Sequence, residues 1–168
     1  MGNTQKLSTT EGIKKIQELA TDANVCLFVT NLSSTPLSAR PMSTLDVDDE
    51  GNVWFFSRDK SDKNTDIAND NRVQLFYSNN SSSEYLSIYG EAEITTDKEK
   101  IKALWTPIAK AWFTEGEDDP SITAIKVKPI DAYYWDTKNN KLISVIQIAI
   151  STLTGKTMDG GIEGEIKL

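Results

Sequence analysis

Ile13, Ile16, Leu19, Ala20 and Ala23 recur at three- and four-residue steps, a spacing that predicts an amphipathic helix over residues 10–23. Ser8-Thr-Thr-Glu11 ahead of it has the form of a capping box. The pattern then changes to short runs of β-branched and aromatic residues, read as strands at 25–30 and 36–45, with Pro41 marking an edge or a bulge. After a turn at 48–52, the apolar run Val53-Trp-Phe-Phe-Ser57 predicts a strand that pairs with 37–45 as a hairpin. A short helix is expected over 62–70 with Ile67 and Ala68 inward, then a strand at 73–77, a turn-rich loop at 79–83, and a long strand at 85–95 with a bulge at Gly90. Thr96-Asp-Lys-Glu99 caps a helix carrying Ile101, Leu104 and Trp105, which Pro107 interrupts. Strands at 122–127 and 132–135 are expected to join at Pro129. Leu142, Val145, Ile146, Ala149, Ile150 and Leu153 predict a C-terminal helix, and the alternation of Ile162, Gly164, Ile166 and Leu168 a last short strand.

About seven strands and three or four helices, with several strands joined by short turns, favour antiparallel pairing. The expected class is α+β, mainly β, built on an antiparallel barrel or strongly curved sheet. No strand leads into a Gly-x-Gly-x-x-Gly or P-loop sequence, which removes the main support for dinucleotide and nucleotide-triphosphate folds.

The chain of 168 residues has room for one domain, with residues 1–8 expected to be a loose leading segment. It has no histidine, which excludes His-ligated zinc and every Ser-His or Cys-His nucleophile pair. Its one cysteine, Cys26, lies in an apolar strand and reads as a small buried hydrophobe. The net charge of −7 argues against nucleic acid as a partner. The N-terminus lacks an apolar leader, and the apolar stretch 142–153 is too short and too polar to span a bilayer; the expectation is a cytoplasmic protein with no membrane partner.

Three arginines, Arg40, Arg58 and Arg72, fall within residues 40–72, joined by Lys60 and Lys63. Guanidinium forks and ammonium point charges are what phosphate recognition uses. Acidic residues outnumber them in the same window, so an anion site there has to be a local pocket, and solvated surface ion pairs are the competing reading. Ser57-Arg-Asp-Lys-Ser61-Asp-Lys63 follows a strand and precedes a helix, where hydroxyls, backbone N–H groups and a lysine can seat a phosphate; Ser61 can equally serve as a helix cap. Strand alternation sends Trp54 and Phe56 to one face and Phe55 to the other. Trp105, Trp112 and Phe113 cluster about the break at Pro107, as core or as walls for a flat ligand. Asp46, Asp48, Asp49 and Glu50 read as a solvated hairpin tip, because the EF-hand spacing is absent, and no metal site is assigned.

The order of Arg40-Pro-Met-Ser43, Val53-Trp-Phe-Phe-Ser57, Ser61-Asp-Lys63, Leu104-Trp105-x-Pro107, Ala111-Trp-Phe-x-x-Gly-x-Asp-Asp-Pro120 and Ala132-Tyr-Tyr-Trp-Asp136 resembles the general stress protein 26 group of the pyridoxamine 5′-phosphate oxidase-like, flavin-binding split barrels. The resemblance runs from about residue 9 to the C-terminus.

It implies a homodimer of split β-barrels binding FMN, with FAD as the alternative, at the subunit interface. On that reading Arg40, Met42 and Ser43 line the flavin, and Phe55, Phe56 and Ser57 end beside the ribityl chain. Ser57, Ser61 and Lys63 match the oxidases' phosphate-binding pattern, Tyr85 takes a slot near the ring, and Trp105, Trp112 and Phe113 cover the ring from the second subunit. Asp62 departs from the pattern, standing where the oxidases keep an arginine. With no histidine and no arginine after Arg72, oxidation of pyridoxamine phosphate is not expected. The resemblance implies a flavin-dependent oxidoreductase acting on a small molecule that the sequence leaves unspecified. The rivals are a non-catalytic flavin carrier, a split barrel using another cofactor such as F420 or haem, and a purely structural dimer.

Overall fold

The computed structural model describes residues 3–7, 9–136 and 162–167. Among them are β1 (Asn3–Leu7), α1 (Thr9–Ala23), β2 (Val25–Thr30), β3 (Ser38–Ser43), β4 (Asp46–Val47), β5 (Val53–Arg58), α2 (Asp62–Asn69), β6 (Arg72–Asn79), β7 (Glu84–Thr95), α3 (Lys98–Leu104), β8 (Ile122–Asp136) and β9 (Ile162–Lys167). Short 3-10 turns at Pro107–Ala111 and Gly116–Asp118 link α3 to β8. The expected helix at 142–153 and the Ser8 cap lie outside the described residues.

The strands form one nine-stranded, mainly antiparallel sheet in the order β1-β9-β8-β7-β6-β2-β3, with β5 on β8 and β4 on β5. This is the α+β split barrel expected from the sequence. β8 is its spine. One edge of β8 pairs with β7, while the other pairs with β5 over its first half and β9 over its second.

Three expectations are corrected. Residues 37–45 and 53–58 do not form a hairpin along their length: β3 pairs with β2, from Val25↔Ser43 to Thr30↔Ser38. The chain changes neighbours just after β3, where Thr44 N–H donates to Asn24 and Leu45 N–H donates to Trp54. Only the tip, Asp46↔Trp54 and Val47↔Val53, is the hairpin, and the Asp48 carboxylate closes it by accepting from Glu50 and Asn52 N–H and from the Trp54 indole N–H at 2.8 Å. Burial pushes the Asp48 pKa up, but those bonds outweigh it and hold it below the usual carboxylate value. Gly51 takes the positive φ of 84° that the turn needs. Second, residues 122–127 and 132–135 belong to one strand, β8. Pro129, which lacks an N–H, sits opposite Gly90, and the register shifts between Tyr89 and Gly90 as the expected bulge requires. Third, Asn3–Leu7 is no loose segment but a strand parallel to β9.

Two cores result. The main one fills the barrel with Ile16 and Leu19 of α1, Phe28, Phe55, Leu75, Ile88, Ile125 and Tyr134. Phe28 and Phe55 meet edge to face at 5.1 Å. The second lies outside β5, where Trp54 and Phe56 meet Ile101, Leu104, Trp105 and Phe113. The period-two split of Trp54 and Phe56 from Phe55 is therefore what separates the cores. α3 is capped from within the expected stretch 96–99, by Asp97, whose carboxylate accepts from Glu99 and Lys100 N–H. Lys15 Nζ reaches the buried Asp136 carboxylate at 2.6 Å and ties α1 to the end of β8. Burial pushes the Cys26 thiol up to about 12, so it stays protonated and unreactive at neutral pH. No helix among the described residues is long and apolar enough to cross a membrane.

Candidate functional site

β5 ends at Arg58 and α2 begins after Ser61, and a buried polar knot fixes the turn between them. Thr123 of β8 donates its hydroxyl to the Ser57 carbonyl at 3.1 Å and accepts from Asn64 Nδ2 at 3.0 Å. That orients the Asn64 amide, so its Oδ1 accepts from Ser57 Oγ at 2.7 Å. With its one proton used there, Ser57 Oγ accepts from Ser61 Oγ at 2.9 Å. Ser61 Oγ in turn accepts from Asn64 N–H as the cap of α2. The hydroxyl protons of Ser57 and Ser61 thus point into the protein, and the pair holds the turn in shape.

What this turn presents to solvent is positive charge. Arg40, Lys60, Ser61, Asp62 and Lys63 line a concavity of about 390 Å³. Asn64 and Thr65 N–H already donate to Ser61, which leaves the amides of Asp62 and Lys63 at the start of α2 for an incoming oxygen. Lys63 is half-buried. Burial first, and the charge of Arg40 second, hold its pKa below the usual lysine value, with Asp62 opposing. A cation held at a cost in this way is relieved by an incoming anion. Arg40 reaches the cleft from the inward face of β3, donating from Nη1 to Thr30 Oγ1 at 2.7 Å, with Nη2 3.6 Å from Asp66 Oδ2. Thr30 Oγ1 in turn donates a hydrogen bond to Asp66 Oδ2 at 2.5 Å.

The sequence-predicted residues are not all brought together. Arg40, Ser61 and Lys63 line the cleft, and Ser57 lies buried behind them, bonded to Ser61. Phe56, Trp105 and Phe113 pack on one another in the second core of their own chain, Phe56 lying 6.0 Å from each of the other two rings. Phe113 is buried and also carries the Arg58 guanidinium over its face at 5.2 Å. Phe55 is fully enclosed in the barrel, because alternation turns it inward, and it does not line the cleft. Met42 packs on the main core. Ser43 and Tyr85 lie on the outer face of the sheet, and Trp112 stands 56% exposed on the segment after α3, its carbonyl accepting from Arg58. Sequence reasoning missed Thr30, Asn64, Asp66 and Thr123, whose contacts link distant strands to α2 and leave no local signal.

The outer face of the sheet is apolar and open. Leu27 pairs with Pro41 and Phe76, Tyr85 with Trp135, and Val25, Leu27, Phe76, Tyr85 and Trp135 are all exposed. A second concavity of about 350 Å³ lies against Trp54, where Lys100 Nζ caps the indole ring at 4.0 Å beside Lys126, Glu93 and Asp97.

The sequence model for the family described as pyridoxamine 5′-phosphate oxidase like matches residues 11–159. The chain belongs to that family. Its fold is that of a general stress protein 26 from Jannaschia sp. CCS1, with a TM-score of 0.73 at 23% identity over 94% of this chain and 96% of that one. The general stress FMN/FAD binding protein of Xanthomonas citri is similar too, at TM-score 0.65 and 23% identity over 77% of this chain and 90% of that one. Among curated proteins, Protein bli-3 of Neurospora crassa is 28% identical over 112 residues, 62% of this chain. The match spans about half of that relative, 54% of its length. The two structural likenesses show that the chain has the same split-barrel fold as those proteins.

Proposed function

We propose that this family member binds FMN, its phosphate seated in the cleft formed by Lys63, Lys60, Arg40 and the start of α2. The observation that carries the reading is the half-buried Lys63, facing a concavity that it shares with two further cations. The donor set suits a phosphate: cations for its charge and free helix amides for its oxygens. An isoalloxazine ring supplies redox chemistry of its own, so the absence of histidine is no obstacle; the chain's part is to hold the phosphate and position the ring. FAD is the alternative, since the FMN/FAD binding protein of Xanthomonas citri shares the fold.

A second copy of the chain is the natural cover for the open apolar face around Leu27, Phe76 and Trp135, since a patch of this kind rarely stays bare on a monomer. The proposed unit is a homodimer, with exposed Trp112 the aromatic free to reach a partner.

Titration of the pure protein with FMN, followed by flavin fluorescence, tests the reading. Saturable quenching by FMN, with riboflavin at least tenfold weaker, is expected, and equal affinity for the two would remove the phosphate from the cleft. Reduction of the bound flavin by a nicotinamide cofactor then separates an oxidoreductase from a carrier.

A further inference from the structure

Arg40 and Lys63 face one cleft, yet they are not equally available to a ligand. Lys63 has Asp62 as its nearby carboxylate, on the exposed first residue of its own helix. Arg40 is held inside a three-part arrangement that joins β2, β3 and α2. Its Nη1 bonds Thr30 Oγ1, that hydroxyl donates to Asp66 Oδ2, and the same Oδ2 lies 3.6 Å from Nη2. Thr30 is fully buried and can serve as a fixed hinge between the two charges. Their side chains, by contrast, keep about a quarter of their surface exposed, 24% for Arg40 and 23% for Asp66.

The charge-to-charge contact is the loose one. At 3.6 Å it lies beyond hydrogen-bond range, and the close bond of the guanidinium goes to a neutral oxygen. A guanidinium has five N–H donors in a fork that fits two oxygens of a phosphate, and only one is placed on Thr30. A ligand phosphate can therefore take over the rest of the fork without breaking the Thr30 bond.

We propose that Asp66 is an internal counter-ion for Arg40, which a ligand phosphate must outcompete, and that this competition sets how strongly and how selectively the cleft takes phosphorylated ligands. The inference rests on the flavin-phosphate reading for its ligand. Asp66 is then a positioning residue: it touches Arg40 and Thr30, not the ligand.

Asp66→Asn is the informative variant, because an amide oxygen still accepts from Thr30 while the charge is gone. FMN should bind about fivefold tighter, the gain from withdrawing one partly exposed counter-charge, with a steeper loss of affinity on adding salt and riboflavin binding unchanged. Asp66→Glu, which keeps the charge, should restore the wild-type value. In an Arg40→Met background the gain should vanish. Unchanged or weaker FMN binding by a folded Asp66→Asn protein overturns the inference, as does a gain that survives Arg40→Met. Inorganic pyrophosphate gives a readout free of flavin: it should raise the melting temperature of Asp66→Asn more than that of wild type. If neither protein binds FMN, the flavin reading falls, and the pyrophosphate comparison alone decides for or against the role of Asp66.

Discussion

Lys63→Glu is expected to weaken FMN binding by about 100-fold or more while leaving riboflavin binding where it was. The substitution removes a charge-assisted bond to phosphate, of the order of 1.5–3 kcal/mol, and puts a repulsive carboxylate in its place. It also sets a second acid beside Asp62 at the lip of the cleft. Lys63 is not part of the Ser57–Ser61–Asn64–Thr123 knot, so the turn should keep its shape and the melting temperature should barely move. Fluorescence titrations with the two flavins measure the effect, and parallel losses for both would mean that the lysine supports the fold and not the phosphate. The pH profile carries the same signature. Below its pKa Lys63 is charged and binding is at full strength; as pH rises through that lowered pKa the attraction fades. Because burial and Arg40 place the pKa below the ordinary 10.5, the decline should begin earlier than for an exposed lysine, and Lys63→Arg should move it upward.

Gly90→Ala is expected to cost about 3 kcal/mol, at the upper end of what overpacking costs, and to lower the melting temperature by about 6–12 °C. A Cβ at this position would stand 2.3 Å from the Lys128 carbonyl oxygen and 3.0 Å from its carbon. Both atoms are backbone, in the strand that every neighbour leans on, so no side chain can swing aside. Gly116→Ala makes the control. Gly116 has a positive φ of 84° but nothing within 4 Å of the added carbon, so only the conformational penalty of about 1–2 kcal/mol applies. Thermal unfolding followed by circular dichroism should rank the two in that order, and equal losses would mean that the bulge at Gly90 can open.

What the sequence made legible was whatever is written locally. The three- and four-residue steps of Ile13, Ile16 and Leu19 mark α1, and the alternation of Trp54, Phe55 and Phe56 divides the two cores. Gly90 announces the bulge. Pairing was less legible, because a strand does not carry the address of its partner. β3 looked like the mate of β5 since both are close in the chain, but two hydrogen bonds at Thr44 and Leu45 hand the chain from one neighbour to the other. The cations of the cleft could be picked out by their spacing, whereas their governors could not. Asp66 meets Thr30 across 36 positions and Asn64 meets Thr123 across 59. The aromatic residues at 105 and 113 show a different difficulty: their pattern fits a core or a ring-binding wall equally, and in the fold both pack against Phe56, Phe113 buried and Trp105 partly so.

β3 is bonded on one side only among the described residues, and it is the strand that brings Arg40 to the cleft. A border strand tethered along a single ladder is the natural place for a fold of this kind to fray. A phosphate gripped by Arg40 on one flank and Lys63 on the other would act as a rivet across that seam, adding to the loose Arg40–Asp66 contact between the border strand and α2. Slowed amide exchange along residues 38–43 would then record occupancy of the cleft at a distance from the flavin ring itself.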